Sequence, residues 1–473
     1  MAEGPALSDK PKHFCGVAGM ALATDAVLPL RKALRVIQHR GQESAGIAIF
    51  DGQIRSVKGM GLVHEVLTNN AIANVHGNTG IGHVRYSTTG SSSLENCAPI
   101  VVKMLQGEVA LAHNGDIVNS DKIRAKLQSE GWAFLTTTDS EIIVRLVANE
   151  LSQSPDPVRA IKNTMKIIDG AYSMTLMMGG RVFGVRDPLG FRPLCLGRLH
   201  DGYCIASESA VFDVLQGEFI RDVVPGEVVE ITPQGYTSHS VPAMPHKANC
   251  MFEWVYFARP DSILDGLEVY TARKRLGAIL AEEHPVEADV VVPVPDSGRA
   301  HALGFAERSG LPYEEGFMKN RYVERTFIMP EQSIRDESVL LKLNPIKSTM
   351  KGQRVVIVDD SIVRGTTMRR IVQMARRAGA KEVHVRIGCP PVKAPCYYGV
   401  DMKTREQFAA TNRTVDEISR LITADSVAYT SIAGLVKALG LQECELCMAC
   451  LNAEYPTNIP GERMRFQKRL DVE

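Results

Sequence analysis

Two adjacent carboxylates, Asp359 and Asp360, directly follow four apolar residues in the segment Val355–Thr367, VVIVDDSIVRGTT. Adjacent carboxylates can bind sugar hydroxyls or a Mg²⁺ ion, which prefers oxygen ligands. The loop that follows holds a glycine and three hydroxyl side chains, Ser361, Thr366 and Thr367. With backbone N–H groups at a helix start, these hydroxyls can bind a phosphate. The segment therefore predicts a site for a phosphorylated sugar; the alternative is a buried strand that ends in a solvated acidic turn.

A second candidate anion site lies in Val291–Gly298, VVPVPDSG, where an apolar run ends in a Pro-Asp-Ser-Gly turn. Glycine and small residues let backbone N–H groups approach an anion closely. A plain strand-to-helix loop is the alternative. Further along, Lys319–Ile328, KNRYVERTFI, places basic side chains beside aromatic ones. Out of context this segment indicates a solvated basic patch or a nucleic-acid contact, whereas beside a phosphate site its cations would offset the charge of the anion.

The cysteines divide into two groups. Ten are present, and most are expected to be small buried residues, because a cytoplasmic chain rarely forms a disulfide framework. Cys444, Cys447 and Cys450 differ, since three thiols at three-residue spacing seldom arise from packing. This spacing favours ligation of a metal ion or a metal cluster. The residue types leave zinc and an iron–sulfur cluster open, because both accept four thiolates.

Cys15 is a candidate nucleophile. On its own it is better explained as a buried core thiol, but four polar segments follow it in the chain. These segments are QHRGQESAG (Gln38–Gly46), GHVRYSTTG (Gly82–Gly90), AHNGDIVN (Ala112–Asn119) and TTTDSEII (Thr136–Ile143). Their presence favours a catalytic role for Cys15.

The elements that must position these residues change in character near the middle of the chain. From Cys15 to about residue 240, short glycine-bounded strands interrupted by helical patterns predict an α+β sandwich layered with helices. The segment 232–250, rich in Pro, Ser and His, is predicted to be a weakly structured bridge that contains the domain boundary. Beyond it, alternating strands and helices predict a parallel sheet. There the strand Val355–Val358 and a helix that ends at Gly379 flank the acidic loop.

Length and charge limit the classes of function. A chain of 473 residues is too long for one ordinary core, so two or three domains are expected. Because 54 basic and 54 acidic residues balance, the charge gives no reason to expect nucleic acid or an anionic membrane as partner. The sequence has no apolar run long enough to span a membrane, and its first residues lack the apolar region of a secretory signal. The expected location is the cytoplasm.

Two family resemblances account for the candidate segments. Val355–Thr367 resembles the phosphoribosylpyrophosphate (PRPP) loop of the type I phosphoribosyltransferases. Cys15 and the four polar segments together resemble the glutaminase domain of the N-terminal-nucleophile amidotransferases. Nearly the whole chain is similar to the glutamine PRPP amidotransferase family, in its subfamily with a propeptide and an iron–sulfur cluster. The resemblance implies a propeptide at 1–14, an αββα glutaminase sandwich at 15–245 and an α/β phosphoribosyltransferase domain at 246–473.

The resemblance implies a role for each polar residue of the first domain. Removal of the propeptide would make Cys15 the N-terminal residue, and its α-amino group, with a pKa of about 7.7–8.0, could serve as general base. Arg85 would hold the α-carboxylate of glutamine and Asp139 its α-amino group. Asn114 and the N–H of Gly115 would form the oxyanion hole. For Arg85 and Asp139 the alternative is a surface or interdomain ion pair.

For the second domain the resemblance implies a PRPP site with Mg²⁺. Asp359 and Asp360 would bind the ribose hydroxyls and the metal, with Ser297 near the metal. The pyrophosphate would be held by two groups of residues, Asp296, Ser297 and Gly298 in the turn and Lys319 and Arg321 in the basic segment. The 5′-phosphate would be held by the loop residues Ser361, Arg364, Gly365, Thr366 and Thr367. Glu324 and Leu340 depart from the family pattern, which usually has glycine and arginine there.

The resemblance also decides between the two kinds of thiolate site. Cys250, Cys396, Cys447 and Cys450 match the ligands of the family's [4Fe–4S] cluster, and Cys444 is surplus to that pattern. The implied role of the cluster is structural, because no catalytic step needs a redox centre. It would hold the C-terminal segment against the rest of the domain. Feedback inhibition by purine nucleotides and a homotetramer are implied by the resemblance alone.

The implied activity is the first committed step of purine synthesis, with ammonia from glutamine passed to PRPP at the second site. One rival is an amidotransferase of the glucosamine-phosphate or asparagine synthetase type, and Val355–Thr367 argues against it. Another is a non-catalytic, DNA-binding sensor of PRPP. The intact set of Cys15, Arg85, Asn114 and Asp139 and the neutral charge argue against that rival.

Overall fold

The computed structural model describes residues 15–86, 92–105, 107–241, 244, 246–320, 343–402, 405 and 408–460. The predicted propeptide, Arg321, Glu324 and Leu340 lie outside the described residues. Within the described part, no helix is long and apolar enough to cross a membrane.

Strands of the first half form two antiparallel sheets in the described part of the chain. From edge to edge, the first sheet contains β11 (Glu218–Asp222), β9 (Cys195–Leu199), β10 (Gly202–Ala206), β1 (Gly16–Leu22), β4 (Thr79–Arg85), β2 (Ser44–Phe50) and β3 (Ile54–Met60). The second sheet contains β13 (Tyr236–Ser240), β12 (Glu227–Ile231), β8 (Arg181–Arg186), β7 (Gly170–Met178), β6 (Gly107–Ile117) and β5 (Ile100–Met104). Apolar side chains of both sheets, such as Val17, Ala112 and Ile205, interdigitate between them.

Helices cover the outer face of each sheet. Those on the first sheet are α1 (Val27–Val36), α2 (Val63–Val66), α3 (Asn69–Ile72) and α7 (Ala210–Val214). Those on the second sheet are α4 (Ser120–Ser129), α5 (Asp139–Gln153) and α6 (Pro157–Met165). This helix–sheet–sheet–helix order confirms the predicted αββα sandwich.

The second half is built on a parallel sheet, as predicted. Its strands, in spatial order, are β17 (Val290–Pro293), β20 (Arg354–Asp359), β21 (Glu382–Ile387) and β22 (Ser426–Tyr429). On one face pack α8 (Val269–Glu283) and α9 (Arg299–Ser309). On the other pack α11 (Thr366–Arg377) and α12 (Val415–Ile422), while α13 (Ile432–Leu439) lies against α8.

Short elements complete the second half. The helices are α10 (Lys347–Met350) and α14 (Ala449–Asn452). The strands are β14 (Asn249–Cys250), β15 (Ile263–Leu264), β16 (Leu267–Glu268), β18 (Phe317–Lys319), β19 (Leu343–Pro345) and β23 (Leu446–Cys447). Single irregular turns lie at Leu94–Asn96, Glu253–Phe257 and Glu443–Glu445.

The predicted strand and helix around the acidic loop are both confirmed. Val355–Val358 is fully buried because helices cover both faces of the parallel sheet. The following helix, α11, buries Met368, Ile371, Val372 and Ala375 on one stripe and exposes most of its basic residues, so its amphipathic period fixes which face meets the sheet. Gly379, at φ +98°, stands just after the helix end, as expected of a residue that stops a helix.

The prediction of a weakly structured bridge at 232–250 is wrong for its first part. Residues Tyr236–Ser240 form β13, which pairs antiparallel with β12 at the edge of the second sheet. A Thr232–Gly235 turn closes this hairpin, with the Thr232 N–H donating to the Gly235 carbonyl at 2.8 Å. An edge strand is mostly solvated, so its polar residues carry little hydrophobic signal, and this strand was therefore missed.

A buried ionic cluster joins the two halves. Arg40 of the first half pairs with Glu208, and its Nη2 lies 2.6 Å from Glu253 Oε2 of the second half. Glu208 Oε2 also accepts from the Arg259 N–H at 2.9 Å and from the Ser262 hydroxyl at 2.8 Å. Burial acts to raise the pKa of Glu208, but its cationic neighbours outweigh burial and hold that pKa well below the usual range. The contacts of these buried charges therefore extend across the boundary between the two halves.

Candidate active sites

A small cleft in the first half collects most of the residues predicted for the glutaminase site. Cys15 precedes β1, Arg85 ends β4, Gly115 lies in β6 and Asp139 begins α5, and all four line this cleft. Other lining residues that sequence reasoning did not single out are His83, Tyr86, Asn96, Ala98, Ile100, His113, Thr138 and Ser140. Strands of both sheets therefore meet at this point to form one site.

The thiol of Cys15 is poorly ionised in this state of the chain. Its Sγ donates to the carbonyl oxygen of Tyr86 at 3.6 Å. Burial raises the pKa of the thiol to about 11, although the Tyr86 hydrogen bond and the Arg85 charge act in the opposite direction. A nucleophilic thiolate at neutral pH therefore requires a further base.

Arg85 forms a buried ion pair that the sequence analysis did not anticipate. Its Nη1 lies 2.7 Å from Glu43 Oε1, and 4% of Arg85 is exposed. The strand register explains the pair, because Ser44 of β2 lies opposite Arg85 of β4 and Glu43 precedes it. Glu43 lies within the segment QHRGQESAG, but its contact with Arg85 depends on a strand pairing that the sequence does not state. Glu43 thus fixes the guanidinium at the edge of the cleft.

Asp139 is held at the N-terminus of α5, where a carboxylate is favoured by the helix dipole. Its Oδ2 accepts from the Ile117 N–H at 3.1 Å, which ties it to β6. His113 lies nearby, with its Nδ1 3.8 Å from Asp139 Oδ1 and 3.2 Å from Ser140 Oγ. Burial lowers the pKa of His113 to about 4, so this imidazole is neutral at physiological pH.

The two residues predicted for the oxyanion hole, Asn114 and Gly115, lie next to each other in β6. The side chain of Asn114 is fully buried, and neither its Oδ1 nor its Nδ2 has a hydrogen-bond partner among the described residues. Such a buried group is costly to leave without a hydrogen-bond partner. Gly115 has φ +148°, and a Cβ there would stand 1.9 Å from the Ala171 carbonyl oxygen. Glycine is therefore required at this position. Asn114 itself is not part of the cleft lining, whereas Gly115 is.

In the second half, the two predicted phosphate-binding loops leave neighbouring strands at the same sheet edge. β17 and β20 pair in parallel, and beyond them the Val294 N–H donates to the Val358 carbonyl at 2.9 Å. A Cβ at Gly298 would stand 2.6 Å from that same carbonyl oxygen. The Pro-Asp-Ser-Gly turn can therefore pack against β20 only because Gly298 has no side chain.

Asp359 and Asp360 are both buried at the end of β20. The Asp359 carboxylate accepts from the Asp360 N–H at 2.9 Å, and Asp360 accepts from the Ser361 hydroxyl at 2.6 Å. A buried cation, Arg273 of α8, lies in electrostatic range of Asp360. Burial lowers the pKa of Arg273 to about 10, and the attraction of Asp360 opposes this shift. Sequence reasoning missed Arg273 because it lies in a helix far from either loop in the chain.

The loop after the carboxylates leads directly into the N-terminus of α11. Gly365 caps this helix at φ +86°, a conformation that favours glycine. Thr366 is exposed and Arg364 and Thr367 are half-buried, so these side chains are accessible from solvent. Ser361 is buried and donates its hydroxyl to Asp360, so its side chain is directed to the carboxylates in this structure.

Lys319 contacts the Pro-Asp-Ser-Gly turn through Asp296. Its Nζ lies 2.6 Å from Asp296 Oδ2, and Arg299 Nη1 lies 2.9 Å from Asp296 Oδ1. Ser297 lies next to Asp296, and its carbonyl oxygen accepts from His301 Nδ1 at 3.4 Å. Two cations and one anion therefore meet at this turn.

The four predicted cluster cysteines lie close together in the fold. Strands β14 and β23 pair in parallel with Cys250 opposite Cys447, although the two residues are far apart in the chain. Burial raises the pKa of Cys450, and the neighbouring thiols Cys396, Cys389, Cys447 and Cys250 raise it further. Cys444 is exposed and its Sγ contacts Gln442, which sets it apart from the others.

The donor chemistry of these cysteines fits a thiolate cluster. Four buried thiols lie in one neighbourhood of the hydrophobic core, and Cys389 adds a fifth near them. Across the described residues, no three His, Cys, Asp or Glu side chains converge as ligands of a single metal ion. A four-iron cluster does not need such convergence, because each thiolate binds a different iron.

Comparison with known families matches both halves of the chain. The model of the glutamine amidotransferase domain matches residues 83–214, and that of the phosphoribosyl transferase domain matches residues 260–404. Each matched range contains residues of the site described above. The chain therefore combines a glutamine amidotransferase domain with a phosphoribosyltransferase domain.

Full-length relatives and solved structures agree with this pairing. An amidophosphoribosyltransferase of Methanocaldococcus jannaschii is 52% identical, covering 95% of this chain and 99% of the relative. That of Bacillus subtilis is 43% identical, with 94% of each chain covered. The solved structure of a glutamine PRPP amidotransferase from B. subtilis, complexed with ADP and GMP, has a TM-score of 0.89 at 42% identity and covers 95% of this chain and 98% of its own. The chain belongs to the amidophosphoribosyltransferase family, the enzymes that convert PRPP, glutamine and water to 5-phosphoribosylamine, glutamate and pyrophosphate as the first committed step of purine synthesis.

Proposed function

We propose that Cys15 is the nucleophile of the glutaminase reaction once residues 1–14 have been removed. The freed α-amino group would take the thiol proton, and the thiolate would attack the carboxamide carbon of glutamine. Collapse of the tetrahedral intermediate releases ammonia, which leaves with that proton, and forms a thioester. Water then hydrolyses the thioester to glutamate and regenerates the thiol. The observation that supports this proposal is the cleft in which Cys15 faces Arg85, Gly115 and Asp139.

Within this proposal, two residues bind glutamine and two others stabilise the tetrahedral intermediate. Arg85, fixed by Glu43, would bind the α-carboxylate of glutamine, and Asp139, fixed by the Ile117 N–H, would bind its α-amino group. The amide of Asn114 and the N–H of Gly115 would stabilise the oxyanion of the tetrahedral intermediate. Preorganised donors of this kind contribute about 10²–10³ in kcat each.

At the second site we propose that ammonia attacks the anomeric carbon of PRPP with inversion and expels pyrophosphate. Asp359 and Asp360 would bind the ribose hydroxyls and stabilise the positive charge that develops on the ring. The pyrophosphate would be bound by Asp296, Ser297, Gly298, Lys319 and Arg321. The 5′-phosphate would be bound at the start of α11 by Ser361, Arg364, Gly365, Thr366 and Thr367.

Mg²⁺ is the proposed metal of this site. The carboxylates of Asp359 and Asp360, with the Ser297 hydroxyl, supply the oxygen donors that Mg²⁺ prefers, and the two carboxylates are adjacent at the strand end. When bound, the ion would neutralise charge on the pyrophosphate leaving group.

We also propose a [4Fe–4S] cluster on Cys250, Cys396, Cys447 and Cys450. Burial, mutual proximity and the pairing of β14 with β23 support this ligand set. The proposed role is structural, because the reaction has no redox step. Inhibition by purine nucleotides is proposed from the ADP and GMP in the B. subtilis structure. The homotetramer, the cytoplasmic location and the domain boundary at 245 stay predictions.

Pyrophosphate release from PRPP, with glutamine or with ammonium chloride as nitrogen source, tests the proposal. We expect Cys15→Ala to abolish the glutamine-dependent reaction and to keep the ammonium-dependent one. Asp360→Asn should lower both by at least about tenfold, because PRPP binding is common to them. Asp121→Asn, at an exposed carboxylate of α4, is the matched control and should change neither. Glutamine-dependent release by Cys15→Ala would refute the assignment.

A further inference from the structure

Gly115, whose N–H is the proposed oxyanion donor, is packed between the two halves of the molecule. On one side lies the Ala171 carbonyl of the same domain. On the other lies Gly399 of the second half: a Cβ placed there would stand 3.0 Å from the carbonyl carbon of Gly115 and 3.2 Å from its oxygen. Gly399 itself has φ +101°, which disfavours any side chain. The backbones of the two halves therefore touch directly behind the oxyanion hole.

The loop that carries Gly399 is firmly fixed. Arg192 of the first half, fully buried, donates its Nε–H to the Tyr398 carbonyl at 3.2 Å. The Tyr398 ring stacks on Phe191 with centroids 4.2 Å apart, and its hydroxyl accepts from the Thr457 N–H at 3.1 Å. A loop held at its carbonyl, ring and hydroxyl presents Gly399 to Gly115 in one position.

We propose that Gly399 is a positioning residue for the glutaminase reaction. By packing its bare Cα against the Cα and the carbonyl group of Gly115, it fixes the position of this residue, and through it the direction of the oxyanion N–H, from across the domain interface. The inference rests on the proposed roles of Cys15 and Gly115. An oxyanion donor acts only at hydrogen-bond distance from the developing charge, and a misplacement of about 1 Å can cost about 100-fold in rate. Gly115 lines the cleft and Gly399 lies outside its lining, so Gly399 would act through Gly115.

Gly399→Ala tests the proposal in the full-length, processed enzyme. The added methyl would push on the Gly115 carbonyl, and we expect kcat for glutamine hydrolysis to fall about tenfold, with KM within about twofold of the parent value. Ammonium-dependent phosphoribosylamine synthesis should also stay within about twofold. Gly52→Ala is the matched control: it has φ +104° with open space around its Cβ, so it carries the same backbone strain without the contact. Both activities of the control should equal those of the parent.

A glutamine analogue with an aldehyde in place of the carboxamide gives a second measurement. Its adduct with Cys15 bears an oxygen in the oxyanion hole, so Gly399→Ala should weaken its inhibition by the same factor as kcat. Glutamate, which forms no adduct, should bind unchanged. Arg192→Lys, which keeps the charge but loses the directed bond to Tyr398, should show the same pattern to a smaller extent. If Gly399→Ala does not fold, Arg192→Lys is the variant that tests the proposal.

Two results would overturn the proposal. One is a Gly399→Ala enzyme with the kcat and aldehyde affinity of the parent. The other is an equal loss of glutamine- and ammonium-dependent activity in both variants, which would indicate general disruption of the interface. Cys15→Ala, assayed in parallel, separates these outcomes from failure of the proposed function, because it alone reports whether the cleft is the glutaminase site.

Discussion

At Cys15, burial and the surrounding charges act in opposite directions on the thiol. Burial raises its pKa, and the hydrogen bond to the Tyr86 carbonyl and the charge of Arg85 lower it, with a net value of about 11. With residues 1–14 attached, the backbone nitrogen of Cys15 belongs to a peptide bond and cannot act as a base. Removal of residues 1–14 would therefore give Cys15 a base of its own, the freed α-amino group.

The pH dependence of Cys15 alkylation follows from this pKa. A thiol reacts as its thiolate, so in the unprocessed chain the rate should rise as the pH rises toward about 11. In the processed chain the α-amino group, with a pKa of about 7.7–8.0, should move the rise to near neutral pH. Iodoacetamide labelling followed by peptide mass spectrometry measures both profiles. Equal profiles for the two forms would contradict the proposed activation.

A single glycine, Gly298, constrains the Pro-Asp-Ser-Gly turn. Gly298→Ala would place a methyl group 2.6 Å from the Val358 carbonyl oxygen, so the turn must move away from β20. We expect at least about a tenfold loss of ammonium-dependent synthesis, because the phosphate donors are displaced. Pyrophosphate release measures this loss. Gly310→Ala, at φ +73° with open space around it, is the control and should keep full activity; a fully active Gly298→Ala enzyme would show that the turn has no such constraint.

Among the elements, the short parallel pair β14 and β23 connects two distant segments of the chain. It joins the residues just after the first domain to a segment near the C-terminus, and Cys250 and Cys447 lie side by side in it. Two residue pairs cannot form a stable ribbon on their own. Their register therefore depends on surrounding contacts, and the proposed cluster would supply the strongest of them.

Serine substitutions distinguish the proposed ligand from its neighbour in the chain. Cys447→Ser should lose the visible absorbance of an iron–sulfur chromophore in anaerobically prepared protein and lower the melting temperature. Cys444→Ser should keep both, because Cys444 is exposed and lies apart from the other thiols. Absorbance spectra and thermal unfolding measure the two effects. The same chromophore in both variants would exclude Cys447 as a ligand.

At the scale of the whole molecule, the feature that matters most is the interface between the two halves. Arg40, Glu208 and Glu253 are almost fully buried there, and each depends on partners from the opposite half. A buried charge that loses its partner is destabilising by about 3–5 kcal/mol. Stability and domain arrangement are therefore coupled.

Glu208→Gln should lower the free energy of unfolding at pH 7 by up to about 3–5 kcal/mol, because Arg40 loses one of its two buried counter-charges and keeps only Glu253. The folded pKa of Glu208 lies below its unfolded value of about 4.3, so its contribution is present above that pH and is lost as the pH falls toward the folded pKa. The variant should lack this part of the acid sensitivity, and urea unfolding at a series of pH values measures the difference.

Glu130→Gln is the control. It removes an exposed ion pair with Lys126 and should change stability by at most about 1 kcal/mol. A Glu208→Gln variant as stable as the parent would refute a stabilising role for the cluster.

Sequence reasoning was most successful where one local pattern determines one element. The buried strand Val355–Val358, the amphipathic helix behind it and the αββα order follow from hydrophobic period and glycine punctuation. It failed where a contact depends on which elements become neighbours. The pairing of Glu43 with Arg85 and the position of Arg273 near Asp360 are examples, since both link residues whose proximity arises from strand order and packing.

The buried ionic cluster also bears on how this enzyme could be divided or recombined. By sequence its halves look like interchangeable modules, each with its own fold and its own match to a widespread family. Yet a cut near residue 245 would leave the carboxylate of Glu208 without Arg259 and Ser262, and would strip Arg40 of Glu253. A transplanted glutaminase would keep the pair between Arg40 and Glu208 but would lose the contacts that complete their hydrogen bonding, so exchange between relatives must move the cluster as a unit.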